Sequence, residues 1–85
     1  MDEHTFFDNI PKESKIFISN WCDISERIQN GLRRNSISDS SLAEHLGITT
    51  RRLRTYLDCP YNFSIKTLAK IEAFIGEPII TVNNT

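Results

Sequence analysis

The sequence predicts an all-α domain built around a helix-turn-helix, closed by one short C-terminal β-strand. Three observations predict it. In Asp39 to Asp58, DSSLAEHLGITTRRLRTYLD, the residues Leu42, Ala43 and Leu46 share a face before Gly47, and Ile48, Leu53, Tyr56 and Leu57 continue the buried set after it. On both sides of that stretch apolar residues recur at helical spacing. Ile79-Ile-Thr-Val82 alone is β-branched throughout and reads as the strand.

Taken in order, residues 1–11 form an N-terminal extension in which Phe6, Phe7 and Ile10 could pack as a short helical turn. Pro11 suits a helix start, and Phe17, Trp21, Ile24, Ile28 and Leu32 then recur at four, three, four and four residues. Helix 1 should run from about Lys12 to Arg34, just over six turns at about 3.6 residues each. Gly31 inside it is a weak point by about 1 kcal/mol relative to Ala. Asn35-Ser36 is the stop, because Asn tolerates the left-handed conformation.

Ser38 is an N-cap for the first helix of the motif. Gly47 can take positive φ at the turn, and Ala43 is small enough for a close helix crossing. Pro60 forces Cys59 out of helical geometry and makes Cys59-Pro-Tyr-Asn62 a loop. Ser64 caps helix 4, over about 64–76, with Phe63 and Leu68 as a hydrophobic staple. Ile65, Leu68, Ile71 and Ile75 are its buried stripe; Gly76 stops it and Pro78 prevents resumption. A lone strand at 79–82 has unpaired backbone groups, so it either pairs with the same strand of a second chain across a two-fold axis or packs over helix 1.

Eighty-five residues make a single domain with a modest core, for which a partner chain is a reasonable expectation. The longest apolar runs are short, Ile16 to Ile18 and Ala73 to Ile75, so neither a membrane span nor a signal-peptide core is expected, and the protein is expected in the cytoplasm. Cys22 and Cys59 have no metal-like spacing and are expected as reduced thiols. His4 and His45 are isolated, and no acid pair or nucleophile motif is recognisable. An enzyme is not expected, nor is a cofactor or a metal.

Net charge is −1, but its distribution is uneven. Acidic residues outnumber basic ones six to three over residues 1–30, and basic outnumber acidic seven to five over 31–85. Between Gly47 and Leu57 stand three arginines and no acid. Such a face is either simply solvated or a patch that attracts phosphates, since local charge rather than the total decides the attraction.

The segments SLAEHLGIT and YNFSIKTLAKIEAFIGEPIITV resemble the Xre/Cro-like helix-turn-helix family, most closely its small HigA-type antitoxins and phage-repressor-like regulators. The resemblance covers Ile37 to Val82, and ISERIQNGL is similar to the family's leading helix. It implies a five-helix, lambda-repressor-like bundle that binds double-stranded DNA as a homodimer and represses a promoter, often its own. In the antitoxin form it implies a cognate toxin, which Phe6, Phe7 and the outer side of helix 1 could hold. By position, Thr49, Thr50, Arg51, Arg54 and Thr55 match the recognition-helix face. Three positions depart from the pattern: Asp39 stands where the family often places a phosphate-touching Gln, and Ser36 and Cys59 stand where it places Gly.

The chemistry of that face can be stated independently. A helix in the major groove presents its N-terminal residues to base edges, and Arg donates two hydrogen bonds to O6 and N7 of guanine. Thr50 and Arg51 are then base readers, Arg54 or Thr55 a reader or phosphate contact, and Thr49 an N-cap near the backbone. Arg52 is either a phosphate clamp or an internal ion-pair partner. Lys66, in the first turn of helix 4, adds charge at an end favourable to phosphate or is merely solvated. Arg33 and Arg34 also suit the C-terminal dipole of helix 1. The competing reading is a helix-turn-helix fold used only for protein contacts.

Overall fold

The computed structural model describes residues 10–80. Among them are four α-helices: α1 (Lys12–Arg34), α2 (Asp39–Leu46), α3 (Thr50–Asp58) and α4 (Ile65–Ile75). Helices α1 and α2 each pack on both α3 and α4. Ile28, Leu42, Leu53, Ile71 and Ile79 are the large side chains wholly removed from water, so each helix and the C-terminal segment contributes one. Each such burial stabilises by about 1.5–3 kcal/mol before ordering costs.

The helix boundaries follow from local chemistry. The Ser38, Thr49 and Ser64 hydroxyls accept from the backbone N–H three residues on, so three helices begin on side-chain caps. Gly47 (φ 74°) and Gly76 (φ 88°) end α2 and α4 in the left-handed conformation. The end of α1 differs from expectation. Asn35 keeps negative φ, and Ser36 takes the left-handed conformation (φ 54°). Ile37 N–H then reaches Leu32 C=O at 2.9 Å and Ser36 N–H reaches Arg33 C=O at 3.3 Å, the paired bonds of a Schellman stop.

The expectation of five helices and a terminal strand is corrected to four helices and no strand among the described residues. Backbone partners explain the missing strand. Ile79 N–H and Ile80 N–H both donate to Glu72 Oε1, each at 2.9 Å, and Ile79 C=O accepts from Arg27 Nη1 at 3.2 Å. The groups that would build a ladder are therefore taken by side chains of α1 and α4, while the Ile79 side chain fills the core. Gly76 and Pro78 also leave no length for a further helix before residue 80. Thr81 and Val82, the rest of the expected strand, and Phe6 and Phe7 lie outside the described residues.

Two residues expected in the core are exposed, Phe17 at 40% and Ile65 at 77%. Helix α1 has 23 residues against 8, 9 and 11 in the others, so at 1.5 Å per residue it outruns them, and its first turns carry Ile16, Phe17 and Ile18 past the bundle. Ile65 lies three residues before Leu68 and Ile71 three after it, which turns Ile65 about 120° from Ile71 around the helix. Phe63 occupies the buried end of the stripe instead.

Gly31, a weak point for an isolated helix, has a packing reason. A Cβ there would lie 3.1 Å from Ile75 Cγ2 and 3.3 Å from Glu77 Oε1. Its bare backbone lets the end of α4 approach α1, and Glu77 there pairs with Arg34 and accepts from Asn35 Nδ2 at 2.9 Å. Hydrogen bonding from Arg34 and then Asn35 lowers the Glu77 pKa below the usual carboxylate value.

Two outcomes are expected. Ser36→Gly relieves the left-handed strain and should stabilise the fold by about 1 kcal/mol, raising the calorimetric melting temperature by about 4–8 °C. The Glu72 carboxylate is held below its ordinary pKa, first by Ile80 N–H and then by Ile79 N–H. Because the folded pKa is depressed, the stabilisation is complete above the ordinary carboxylate pKa and is lost as pH falls through the lowered value. The protection of the Ile79 and Ile80 amides, measured against their intrinsic exchange rates, should fall over that acidic window, and Glu72→Gln should remove the step.

Candidate nucleic-acid interface

Helix α3 has nine residues, too few to persist alone, so its neighbours must hold it. At its start, Thr49 Oγ1 accepts from Arg52 N–H at 3.0 Å, which makes Thr49 the cap that the sequence suggested. Leu53 and Leu57 anchor its inner face against the core. Its far end has no glycine, and Cys59 is extended (φ −127°, ψ 147°). The last carbonyls are capped from α1: Trp21 Nε1 donates to Tyr56 C=O at 2.9 Å, and Ser25 Oγ donates to Leu57 C=O at 2.7 Å. Beyond that end the Tyr56 and Tyr61 rings stack at 3.6 Å, and Phe63 meets Tyr61 edge-on at 4.9 Å, so the Cys59–Phe63 loop folds back on the helix. Hydrogen bonding of the neutral Tyr61 hydroxyl to Tyr56 raises the Tyr61 pKa, and the positive charge of Arg52 opposes the rise.

The outward residues follow from this anchoring. Thr50, Arg51, Arg52 and Thr55 are all exposed. Among the described residues Arg51 and Arg52 have no ion-pair partner, so of the two roles for Arg52 the internal pair is not formed there. Thr55 Oγ1 donates to its own helix at Arg51 C=O, 3.2 Å, leaving its oxygen as an acceptor. Lys66 is exposed in the first turn of α4 and shares no hydrogen bond or ion pair with α3 among the described residues.

Arg54 is placed differently. Its Nη1 lies 3.2 Å from Asp39 Oδ2, its Nε lies 3.4 Å from Asp58 Oδ2, and its Nη2 pairs with Asp58 Oδ1. Nη2 also faces Gln29 Oε1 at 3.5 Å, and Gln29 Nε2 donates to Ser25 Oγ at 3.0 Å. The bonds to Asp58 and then Asp39 raise the Arg54 pKa above its ordinary value. Asp39, at the position where the resemblance led one to expect a phosphate-touching Gln, is thus half of an ion pair that ties α2 to α3.

No family model, curated protein or solved structure matches the chain. The site therefore stands on its own geometry: a short helix held at both ends and on one face, presenting two unpaired arginines and three threonines to solvent. Other candidate chemistry is sparse. Among the described residues no group of three His, Cys, Asp or Glu could hold a metal ion, and no helix is long and apolar enough to cross a membrane. Cys22 and Cys59 are exposed free thiols, and exposed His45 stacks on Phe74 at 4.4 Å.

Ser25, Gln29 and Asp58 belong to the site's support but were not read from the sequence as part of it. Ser25 had a signal, since it lies four residues after Trp21 and three before Ile28, on the buried stripe of α1. A polar residue on such a stripe needs a buried partner. Ser25→Ala should leave the Leu57 carbonyl without its donor and destabilise the domain by about 1–3 kcal/mol, read as a lower urea midpoint with an unchanged slope.

Proposed function

We propose that this protein is a DNA-binding transcriptional regulator of the Xre/Cro-like helix-turn-helix type, acting in the cytoplasm and docking α3 in the major groove of duplex DNA. One observation carries the reading: the first two turns of α3 expose Thr50, Arg51, Arg52 and Thr55 with no acid before Asp58 at the helix end, on a helix whose orientation is held by α1, α2 and the loop after it. Arg51 suits a bidentate contact with guanine, and Thr50 reads beside it. Arg52, at the flank, suits a phosphate, and Lys66 adds a weaker backbone contact. Repression follows if the bound protein occludes a promoter, and a homodimer would supply two half-sites one helical turn apart. The Ile79 and Ile80 N–H groups already donate to Glu72, so these two are not free donors for a partner strand.

A second reading, a helix-turn-helix fold used as a protein-interaction module, is favoured by the overhang of α1. Ile16, Phe17 and Ile18 are exposed together there. That surface also suits a cognate toxin, in which case the two readings join in an antitoxin whose α3 faces DNA while α1 faces the partner.

Fluorescence anisotropy on duplex from upstream of the gene, against random duplex and at two salt concentrations, tests the DNA reading. Tighter binding to the upstream duplex is expected, weakened by salt. Arg51→Ala should cost about 1–3 kcal/mol and narrow the difference between the two duplexes. Absence of binding to either duplex, together with a stoichiometric protein complex that Arg51→Ala leaves intact, would establish the interaction module instead.

A further inference from the structure

Of the three arginines on α3, Arg51 and Arg52 have no ion-pair partner among the described residues, whereas Arg54, half-exposed, is held by two carboxylates. Four of the five N–H donors of Arg54 are directed at protein acceptors: two at Asp58, one at Asp39 and one at Gln29. The two carboxylates outweigh the single guanidinium, so the cluster carries a net charge of −1 one turn along the helix from Arg51. A phosphate approaching there meets repulsion rather than an available cation. To bind it, Arg54 would have to give up a fork-like pairing with Asp58 and a second carboxylate on α2.

On the reading of α3 as a DNA-recognition helix, we propose that Asp39 and Asp58 form an acidic clamp that withholds Arg54 from the phosphate backbone, keeping sequence-independent binding weak so that discrimination rests on Thr50 and Arg51. Arg54 is then a positioning residue. It joins α2 to α3, and through Gln29 and Ser25 it joins the same network that caps the end of α3. Backbone contacts strengthen binding to every duplex alike, whereas base contacts separate one sequence from another. Removing one available cation from the backbone term therefore lowers affinity for random duplex more than it lowers selectivity.

The test compares the salt dependence of binding in four proteins: wild type, Asp39→Asn with Asp58→Asn, Arg54→Ala, and all three substitutions together. Freeing Arg54 should tighten binding to random duplex more than to the upstream duplex. It should also steepen the slope of log K against log salt by about 0.9, the value for one added phosphate contact. With Ala at position 54 the same two Asn substitutions should leave the slope unchanged. Equal steepening in both backgrounds would assign the effect to lost acid repulsion and overturn the clamp, as would no steepening with Arg54 present. Should the doubly substituted chain fail to fold, the Arg54 Nε–H resonance of the wild type provides the second measure. It should hold its position on adding duplex, and displacement would overturn the clamp. Wild type binding neither duplex at low salt would end the DNA reading and this inference together, whereas tight wild-type binding without the steepening would end this inference alone.

Discussion

The arrangement depends on two hydrogen bonds from α1 to the last carbonyls of α3. Helix α3 is short, and its C-terminal end has no glycine to turn the chain and satisfy those groups. Left unpaired beneath α1, the Leu57 carbonyl would carry the desolvation penalty of a buried acceptor. Ser25 removes that penalty and Trp21 does the same for Tyr56, so the helix is fixed in direction as well as in position. The Tyr56–Tyr61 stack then fixes where the chain leaves. Such pre-organisation would favour the proposed recognition by this face, because a contact made by a held helix spends less binding energy on ordering.

Charge is organised with similar economy. The chain is nearly neutral, yet its acids and bases are sorted by place. Arg34 is joined to Glu77 at the end of α1, and Arg54 is shared by Asp39 and Asp58 between the helices of the motif. Arg51 and Arg52 are left without ion-pair partners among the described residues on the outward side of α3. A small unpaired patch on a neutral body favours local attraction over long-range, indiscriminate adhesion to polyanions.

The C-terminal segment shows how side chains can replace regular structure. Glu72 accepts two consecutive backbone N–H groups, and Arg27 supplies a donor to the carbonyl between them. Ile79 is thereby seated in the core without a strand partner. The β-branched composition that suggested a strand served burial instead, because strand preference is largely a preference for a packed, half-buried surface.

What the sequence by itself determined is local. Pro11, Ser38, Thr49 and Ser64 at helix starts, and Gly47 and Gly76 at helix ends, act within one turn of chain, so the all-α class and the helix limits near them were legible. So was the outward set Thr50, Arg51, Arg52, Arg54 and Thr55, which follows from the angular period of one helix, although the period did not show that Arg54 is ion-paired. The tertiary structure alone decided the rest. How far α1 overhangs depends on the lengths of other helices, and Phe17 was misread as buried for that reason. Which arginine of α3 is held by partners from other helices depends on where α2 and α1 bring Asp39 and Gln29, residues 15 and 25 positions away in the chain. Whether residues 79–80 form a strand depends on a carboxylate and a guanidinium reaching in from two helices. Periodicity records the environment along one element; it carries no information about which side chain arrives from another.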